Sequence, residues 1–516
     1  MGSSSGALAY NEGMKVLFVT AEVGPYVSVG GLSQVSYFLP NSLQVIGEEV
    51  RIFTPKFGAM EPPLSDDKEN KNFKKKSWKL QMELEGLHVP IRHNPDKDDL
   101  VCNVKSYSAK GRVKTYFLEN QEYYELRANV FGYRDDHVRF LLMCKGCLEW
   151  LLATKEEWWP EIIHCNDWHA AYLIELARRV PRYKKIFANV KIILTVHNFV
   201  YQGNFDYKYC NIEDRDGGKT PLLPLLDERL YKQNALLRGL LYADAINTVS
   251  PTHAQEVLTE EYGEGLNKVL YNRRRKLIGI LNGLDTNTFD PKKDKLIKVN
   301  FDASDFVLAR AENKTNIQKI FGLPKMKEVF LLAYVGRLAS QKGIAMMTHA
   351  LPHLLLEHPN IQVIILGGGD ESYRRQLMIL QKKFPKQLGL HLMPNFRLPR
   401  KIFAGVDSLL LPSMFEPGGI VALEAMRYGA VPIVRRTGGL NDIVKDFDSV
   451  SKIGNGFSFR GKDDWSLYGA IIAAKTTFEN KDLWEKLTRN CLEADFSWDY
   501  AAKEYQKWYR RVRMET

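Results

Sequence analysis

The string Phe415-Glu-Pro-Gly-Gly-Ile-Val-Ala-Leu-Glu-Ala-Met-Arg-Tyr-Gly429 holds the densest chemistry in the sequence. Gly418 and Gly419 open what reads as a helix, so bare backbone N–H groups can approach a ligand at the positive end of the helix dipole. Glu416 falls in the loop and Glu424 just over one turn into the helix. Both carboxylates can face one ligand, where they would accept hydrogen bonds from hydroxyl groups such as those of a sugar. The same spacing suits a helix whose Glu416 merely caps its own N-terminus, and the string fits both readings equally.

Arg337 and Lys342, five residues apart, follow the apolar run Val329 to Val335. Two cations there match the charge of a diphosphate leaving group; the plainer reading is a pair of surface charges. Gly367-Gly-Gly-Asp370 makes a flexible turn after another apolar run but lacks the GxGxxG spacing of a dinucleotide site. Asp96-Lys-Asp98 and Asp214-Arg-Asp216 fit a three-residue metal pattern, yet both lie in polar stretches. A calcium loop starting at Asp214 would need a glutamate where Leu225 stands. Cys144-Lys-Gly-Cys147 has no second pair to complete four zinc ligands, and its apolar flanks read as helix core. The expectation is that no metal is used.

Positioning such residues requires a scaffold, and the sequence supplies one. Short β-branched runs, each followed by a segment of helical period, signal βαβ units and parallel sheets, hence an α/β protein. One series contains Val16 to Thr20, Val50 to Thr54, Thr115 to Leu118, Ile162 to Cys165, Val190 to Val196 and Ala245 to Val249. A second contains Val329 to Val335, Ile361 to Leu366, Leu390 to Met393, Ser408 to Leu411 and Val431 to Val434. Two Rossmann-like domains facing across a cleft are expected: residues 14–250 with a returning helix at 496–516, and residues 251–495, with Ser250-Pro251 as a hinge. Ligands in such sheets sit beyond the carboxyl ends of the strands. Glu22, Gly30 and Gly31, then Asn166 to His169, then His197 and Asn198 all follow strands of the first series.

Composition narrows the class. The chain has 516 residues, 45% hydrophobic and 26% charged, near the globular average, so substantial cores can form and disorder is excluded. No apolar run approaches the ~18 residues of a membrane span. The Gly/Ser-rich stretch Met1 to Gly13 lacks the features of a secretion signal and reads as a tag or frayed leader. Six cysteines are too few for a disulfide framework and suit buried thiols, so a cytoplasmic location is expected. The net charge of +11 favours anionic partners. Its basic strings, Lys74-Lys75-Lys76, Arg273-Arg274-Arg275-Lys276 and Arg510-Arg511-Val-Arg513, sit in no nucleic-acid-binding motif and read as solvated faces.

With these residues in view, the chain resembles the bacterial glycogen synthases and plant starch synthases from Lys15 to Tyr509. The strings that carry the resemblance are Val29-Gly-Gly-Leu32, His164-Cys-Asn-Asp-Trp-His169, Thr195-Val-His-Asn198 with Tyr201-Gln-Gly203, Thr248-Val-Ser-Pro-Thr252, Leu281-Asn-Gly-Leu-Asp285, Gly336-Arg-Leu-Ala-Ser-Gln-Lys-Gly343, Arg435-Arg-Thr-Gly-Gly-Leu440 and Asp495-Phe-Ser-Trp498. The resemblance implies a retaining glycosyltransferase of the GT-B fold that moves glucose from a nucleotide diphosphate sugar, ADP-glucose or UDP-glucose, to the non-reducing end of an α-1,4-glucan. It implies no metal, no further cofactor, and no nucleic-acid or membrane partner. It also implies that a last helix, near Asp499 to Arg513, returns to the N-terminal domain.

Carried over by position, Arg337 and Lys342 would bind phosphate. Glu416 would hold the transferred glucose with the backbone of Gly418, Gly419 and Ile420, and Glu424 would reach the ribose. His197 and Asp167 would line the reacting sugar, and Glu22, Gly30 and Gly31 would lie near donor and acceptor. Thr437, Gly438 and Gly439 would add backbone contacts to phosphate, and Phe396 would stack on the base. Two departures stand out. Ser28-Val-Gly-Gly-Leu-Ser-Gln34 replaces the family's Lys-x-Gly-Gly-Leu-x-Asp, so an ammonium and a carboxylate are missing, and Glu424 stands where an aromatic residue is more usual. The missing charges leave a competing expectation, a catalytically degenerate glucan-binding or scaffold relative. A phosphorylase-like enzyme of the same fold is less favoured, because no residue marks a pyridoxal lysine.

Overall fold

The computed structural model describes residues 13–60, 78–91, 99–133, 135–205 and 233–515. The leader through residue 12, Lys74 to Lys76, Asp96 to Asp98, and Asp214 to Asp216 with Leu225 lie outside the described residues. The chain forms two compact units. Unit 1 takes the chain up to Thr248, then Val257–Ile280 and Ala501–Thr516; unit 2 takes Val249–Glu256 and Leu281–Tyr500.

In unit 1 the strands are β1 (Lys15–Val19), β2 (Glu49–Pro55), β3 (Gln81–Val89), β4 (Leu100–Tyr107), β5 (Lys114–Glu119), β6 (Ile162–Asn166) and β7 (Lys191–Val196). A two-residue ribbon, β8 (Asn204–Phe205) with β9 (Gln233–Asn234), precedes β10 (Ala245–Thr248) and β11 (Leu277–Gly279). Nine of them form one sheet in the order β11-β10-β7-β6-β1-β2-β5-β4-β3. Val16, Leu17, Phe18 and Val19 of β1 are fully buried, as a strand covered on both faces must be. The sheet is not wholly parallel, because β3, β4 and β5 pair antiparallel. The outer strands β3 and β4 lack the apolar runs of the others, and β4 alternates buried and wetter residues because one of its faces meets solvent.

The sequence division at residues 250 and 495 differs from the observed one. Val257–Ile280 returns to unit 1 because β11 pairs with β10 and Leu266 and Leu270 enter the unit 1 core. Residues 495–500 stay with unit 2, where the Leu284 N–H donates to the Phe496 carbonyl at 2.7 Å. Cys144 and Cys147 lie wholly inside the helix Asp136–Ala153 as buried free thiols, and burial raises both pKa values. Arg273 donates to the Leu241 carbonyl at 3.0 Å and to that of Ala243, satisfying the C-terminus of the helix Ala235–Tyr242. Among the described residues no helix is long and apolar enough to cross a membrane.

Unit 2 holds β12 (Phe330–Val335), β13 (Ile361–Leu366), β14 (Leu388–His391), β15 (Ser408–Leu411), β16 (Val431–Arg435) and β17 (Phe457–Phe459). All neighbours are parallel, in the order β14-β13-β12-β15-β16-β17. Counted from the first strand this is 3-2-1-4-5-6, the doubly wound order, and it reverses between β12 and β15.

The last helix, Trp498–Met514, packs its later turns on unit 1 through a buried polar network. His164 on β6 meets the Tyr509 hydroxyl at Nδ1 and the Thr195 hydroxyl at Nε2, both at 2.6 Å, and Asn247 donates to the Tyr505 hydroxyl at 2.9 Å. Burial drives the His164 pKa well below its usual value, so the ring is neutral and each nitrogen needs its partner. Tyr509→Phe leaves one of those nitrogens unsatisfied and is expected to destabilise unit 1 by about 1–3 kcal/mol. Urea unfolding followed by tryptophan fluorescence measures it; an unchanged midpoint would show the network to be dispensable.

Candidate functional site

In unit 2 the chemistry gathers where the strand order reverses. The loop after β12 carries Arg337 and Lys342, and the loop after β15 carries Ser413, Glu416, Gly418 and Gly419. The two loops are joined, because the Met414 N–H donates to the Gln341 carbonyl at 2.8 Å. Lys342 Nζ lies 2.5 Å from Glu416 Oε2, and the Ser413 hydroxyl donates to the same oxygen at 3.2 Å. The Glu416 carboxylate is thus engaged by Lys342 and Ser413, and no side chain caps the helix Ile420–Arg427 that follows. Buried Arg435, at the end of β16, fixes the loop by donating to the carbonyls of Ser413, at 2.8 Å, and Met414. Arg337 is exposed, and its carbonyl accepts the Tyr334 hydroxyl at 2.7 Å. Inside the helix, burial lifts the Glu424 carboxyl to about 7, against the opposing pull of Arg400.

The expectations for Gly438 and Gly439 change here. The Gly438 N–H points at both oxygens of Glu256, at 3.0 and 3.1 Å, and the Thr437 hydroxyl donates to Glu256 at 3.1 Å. The Gly439 N–H goes to the carbonyls of Glu416 and Pro417 at 3.0 and 2.9 Å. The N–H groups of Gly438 and Gly439, assigned to phosphate from sequence, therefore already have partners. Gly438 has φ +44, and a Cβ there would lie 2.3 Å from the Glu416 carbonyl oxygen, so only glycine lets this turn press against the glutamate loop. Gly367 likewise lets two strand ends meet, since its Cβ would fall 1.8 Å from the Gly336 carbonyl oxygen. Its turn is a packing device, and Asp370 caps the next helix through the Ser372 N–H at 2.7 Å. Phe396 is 93% exposed and follows β14, at the edge of the sheet two strands from β12.

In unit 1 the strand order reverses between β1 and β6, and the candidates lie there too. Buried Glu22, just past β1, accepts the Val29 N–H at 2.6 Å and the Gly30 N–H at 3.2 Å. The Gly30 N–H is therefore not open to phosphate as the sequence suggested. Gly31 begins the helix Gly31–Val45 and is exposed. Asp167, at the end of β6 with φ +55, accepts the His197 N–H at 2.7 Å. Burial lifts the Asp167 carboxyl to about 7 despite backbone hydrogen bonds from His197 and Asn198. The Glu22 carboxyl is raised as well, first by burial and then by the charge of Asp167, with its backbone hydrogen bonds opposing.

His197 Nε2 lies 3.1 Å from Asn166 Oδ1, while the Asn166 amide nitrogen donates to the carbonyls of Val19 and His164. That assignment makes Asn166 Oδ1 an acceptor, so Nε2 carries the proton and Nδ1 keeps the lone pair. Burial lowers the His197 pKa to about 4, which leaves the ring neutral at pH 7. Asn166, Ser413, Arg435 and Glu256 were not among the sequence candidates. Asn166 and Ser413 do follow apolar runs and carried that signal; Glu256 follows none.

A family model described as the starch synthase catalytic domain matches residues 15–272, and one described as glycosyl transferases group 1 matches residues 313–489. A glycogen synthase from Thermotoga petrophila is 36% identical over 97% of this chain and 99% of its own length. One from Clostridium novyi is 35% identical over 97% of this chain and 99% of its own. The chain belongs to the glycogen and starch synthase family. It is a glycosyltransferase. Among solved structures, the catalytic domain of starch synthase IV from Arabidopsis thaliana, bound to ADP and acarbose, superposes with a TM-score of 0.78 at 29% identity, covering 98% of this chain and 100% of that one. A sucrose-phosphate synthase from Thermosynechococcus elongatus, at 17% identity and TM-score 0.55, shows the shared fold alone. That fold is GT-B. Around the glycine pair, the Ser28 hydroxyl pairs with that of Ser33 at 2.8 Å, and Gln34 is exposed.

The raised carboxyl of Asp167 has a measurable consequence. A carboxyl whose folded pKa lies above its unfolded value opposes folding once the unfolded chain ionises and the folded one does not. The penalty is absent below about 4, grows as pH rises, and levels off above about 7. Asp167→Asn keeps an oxygen for the His197 N–H and removes the charge, so its stability relative to wild type is expected to rise across that window. Urea unfolding at pH 4 to 8 measures it; a pH-independent difference would contradict the burial of this carboxyl.

Proposed function

We propose that the protein transfers glucose from ADP-glucose to the non-reducing end of an α-1,4-glucan, with retention of the anomeric configuration. We propose further that it needs no metal or cofactor and acts in the cytoplasm. The observation that carries this reading is the Lys342–Glu416 pair at 2.5 Å where the unit 2 sheet reverses. Lys342 and Arg337 supply charge for the leaving diphosphate. Once Lys342 turns to phosphate, Glu416 is free to accept hydrogen bonds from the glucosyl hydroxyls, and the N-terminus of the helix Ile420–Arg427, with Gly418 and Gly419, favours their oxygens. Glu424, with its carboxyl near 7, can donate to or accept from ribose hydroxyls. In unit 1, neutral His197 offers a hydrogen-bonding imidazole without adding charge near the reacting sugar. Asp167 and Asn166 orient it. The ADP bound to the Arabidopsis relative supports adenine over uracil in the donor.

Incubation with ADP-glucose or UDP-glucose and glycogen, with NMR of the new linkage, tests this. Faster transfer from ADP-glucose, an α-1,4 product and indifference to EDTA are expected. Lys342→Ala and Arg337→Ala should each lower kcat by on the order of 10²-fold or more with the fold retained, the effect of removing one preorganised charge stabiliser. Near-normal rates in both would remove them from the leaving-group role. Ser28→Lys should tighten donor binding about tenfold or more, since a charge-assisted hydrogen bond contributes about 1.5–3 kcal/mol. Transfer by Ser28→Lys but from neither donor by the wild type would favour the glucan-binding scaffold.

A further inference from the structure

After β10 the chain makes a short excursion. Val249–Glu256 belongs to unit 2, although the residues on either side of it belong to unit 1, and the helix Pro251–Glu256 fills most of it. Its footing is the helix Gly438–Ile443. The Thr252 N–H and hydroxyl donate to the two carboxylate oxygens of Asp442 at 2.8 and 2.7 Å, and the Asn441 amide donates to the Thr252 hydroxyl at 2.8 Å. From there the segment reaches the Glu416 loop along two routes. The fully buried His253 ring meets the Phe415 ring edge on, with centres 5.2 Å apart. Glu256 takes the Gly438 N–H and the Thr437 hydroxyl, and the next residue, Gly439, donates its N–H to the Glu416 carbonyl at 3.0 Å.

We infer that Glu256 is a positioning residue for glucosyl transfer, holding in place the backbone from which the Glu416 carboxylate projects. The inference rests on the proposed function, in which Glu416 receives the transferred glucose. Three observations carry it. The helix Gly438–Ile443 takes no cap from its own N-cap side chain, Thr437, so its first N–H depends on Glu256. Gly438 presses so closely on the loop, with a Cβ there falling 2.3 Å from the Glu416 carbonyl oxygen, that a shift of this turn is passed to Glu416 instead of being absorbed. Arg435 already holds the loop before Glu416, through the carbonyls of Ser413 and Met414, and the turn held by Glu256 is the matching support after it. A reacting geometry tolerates only about 0.5 Å of error, so both supports matter. The proposed phosphate ligands Arg337 and Lys342 sit on the loop after β12, so loosening the Glu256 turn misplaces the sugar's acceptor without removing the diphosphate's charge partners.

Three variants separate positioning from charge and from general stability. Glu256→Ala removes the acceptor, Glu256→Gln keeps an oxygen of the same reach, and Glu256→Asp keeps the charge but retracts it by one methylene. Each is assayed for steady-state transfer from ADP-glucose to glycogen and for ADP affinity by calorimetry. Glu256→Ala is expected to lower kcat on the order of 10²-fold, the effect of about 1 Å of misplacement caused by a change remote from the chemistry. KM for ADP-glucose and the affinity for ADP should stay within about threefold of wild type, as for an interaction used in the transition state. Glu256→Gln should recover most of kcat, and Glu256→Asp less of it. Near-wild-type kcat in Glu256→Ala overturns the inference. An equal loss of ADP affinity also overturns it, by showing that unit 2 has loosened as a whole, as does fuller recovery by Glu256→Asp than by Glu256→Gln, which marks a field effect of the charge. If Glu256→Ala does not fold, Glu256→Asp decides, with wild-type kcat overturning the inference. A wild-type protein that transfers no glucose refutes the proposed function and the inference with it, whereas an active wild type with unaffected variants refutes the inference alone.

Discussion

Each sheet reverses its strand order once, and the candidate chemistry of each unit depends on that reversal. Where two neighbouring parallel strands feed connections to opposite faces, their following loops diverge and leave a crevice at the carboxyl ends. In unit 1 the reversal lies between β1 and β6, so Glu22 and Asp167 become neighbours although 145 positions separate them, and His197 follows on the next strand. In unit 2 it lies between β12 and β15, which brings Lys342 to Glu416.

Carboxylates hold these crevices in shape. Glu22 takes the N–H groups of Val29 and Gly30, Asp167 that of His197, Glu256 that of Gly438, and Glu416 the Lys342 ammonium. An unpaired buried polar group costs roughly 1–3 kcal/mol, so each loop has a strong reason to close on its carboxylate. Burial opposes ionisation of Glu22 and Asp167, and of Glu424 in the unit 2 helix, and lifts Asp167 and Glu424 to about 7. The consequence for ligand binding is direct. The N–H groups of Gly30, Gly438 and Gly439, which a glycine-rich sequence offers to phosphate, are spoken for inside the protein.

The turn that holds the glycine pair is tied by polar side chains rather than by an ion pair. Ser28 and Ser33 pair their hydroxyls, and the Ser33 hydroxyl also meets the Gly30 carbonyl at 2.7 Å, so the glycine pair keeps its geometry at the start of the helix. Glu22 accepts the Val29 and Gly30 N–H groups of the same turn, and burial raises its carboxyl against those hydrogen bonds.

The sequence by itself determined the α/β class, the two series of parallel strands and the strings that follow them, because buried parallel strands are continuous apolar runs and their polar loops stand out against them. Arg337, Lys342, Glu416, Asp167 and His197 were legible for that reason. Tertiary structure alone decided which strands became neighbours, and so which loops met. The wet-faced pair β3 and β4, the return of Val257–Ile280 to unit 1, and the exposure of Phe396 at a sheet edge follow from pairings that local pattern does not encode. The same holds for Glu256. Its partners are 181 and 182 positions away, and only the folded chain could show that its carboxylate, and not a ligand, takes the Gly438 N–H.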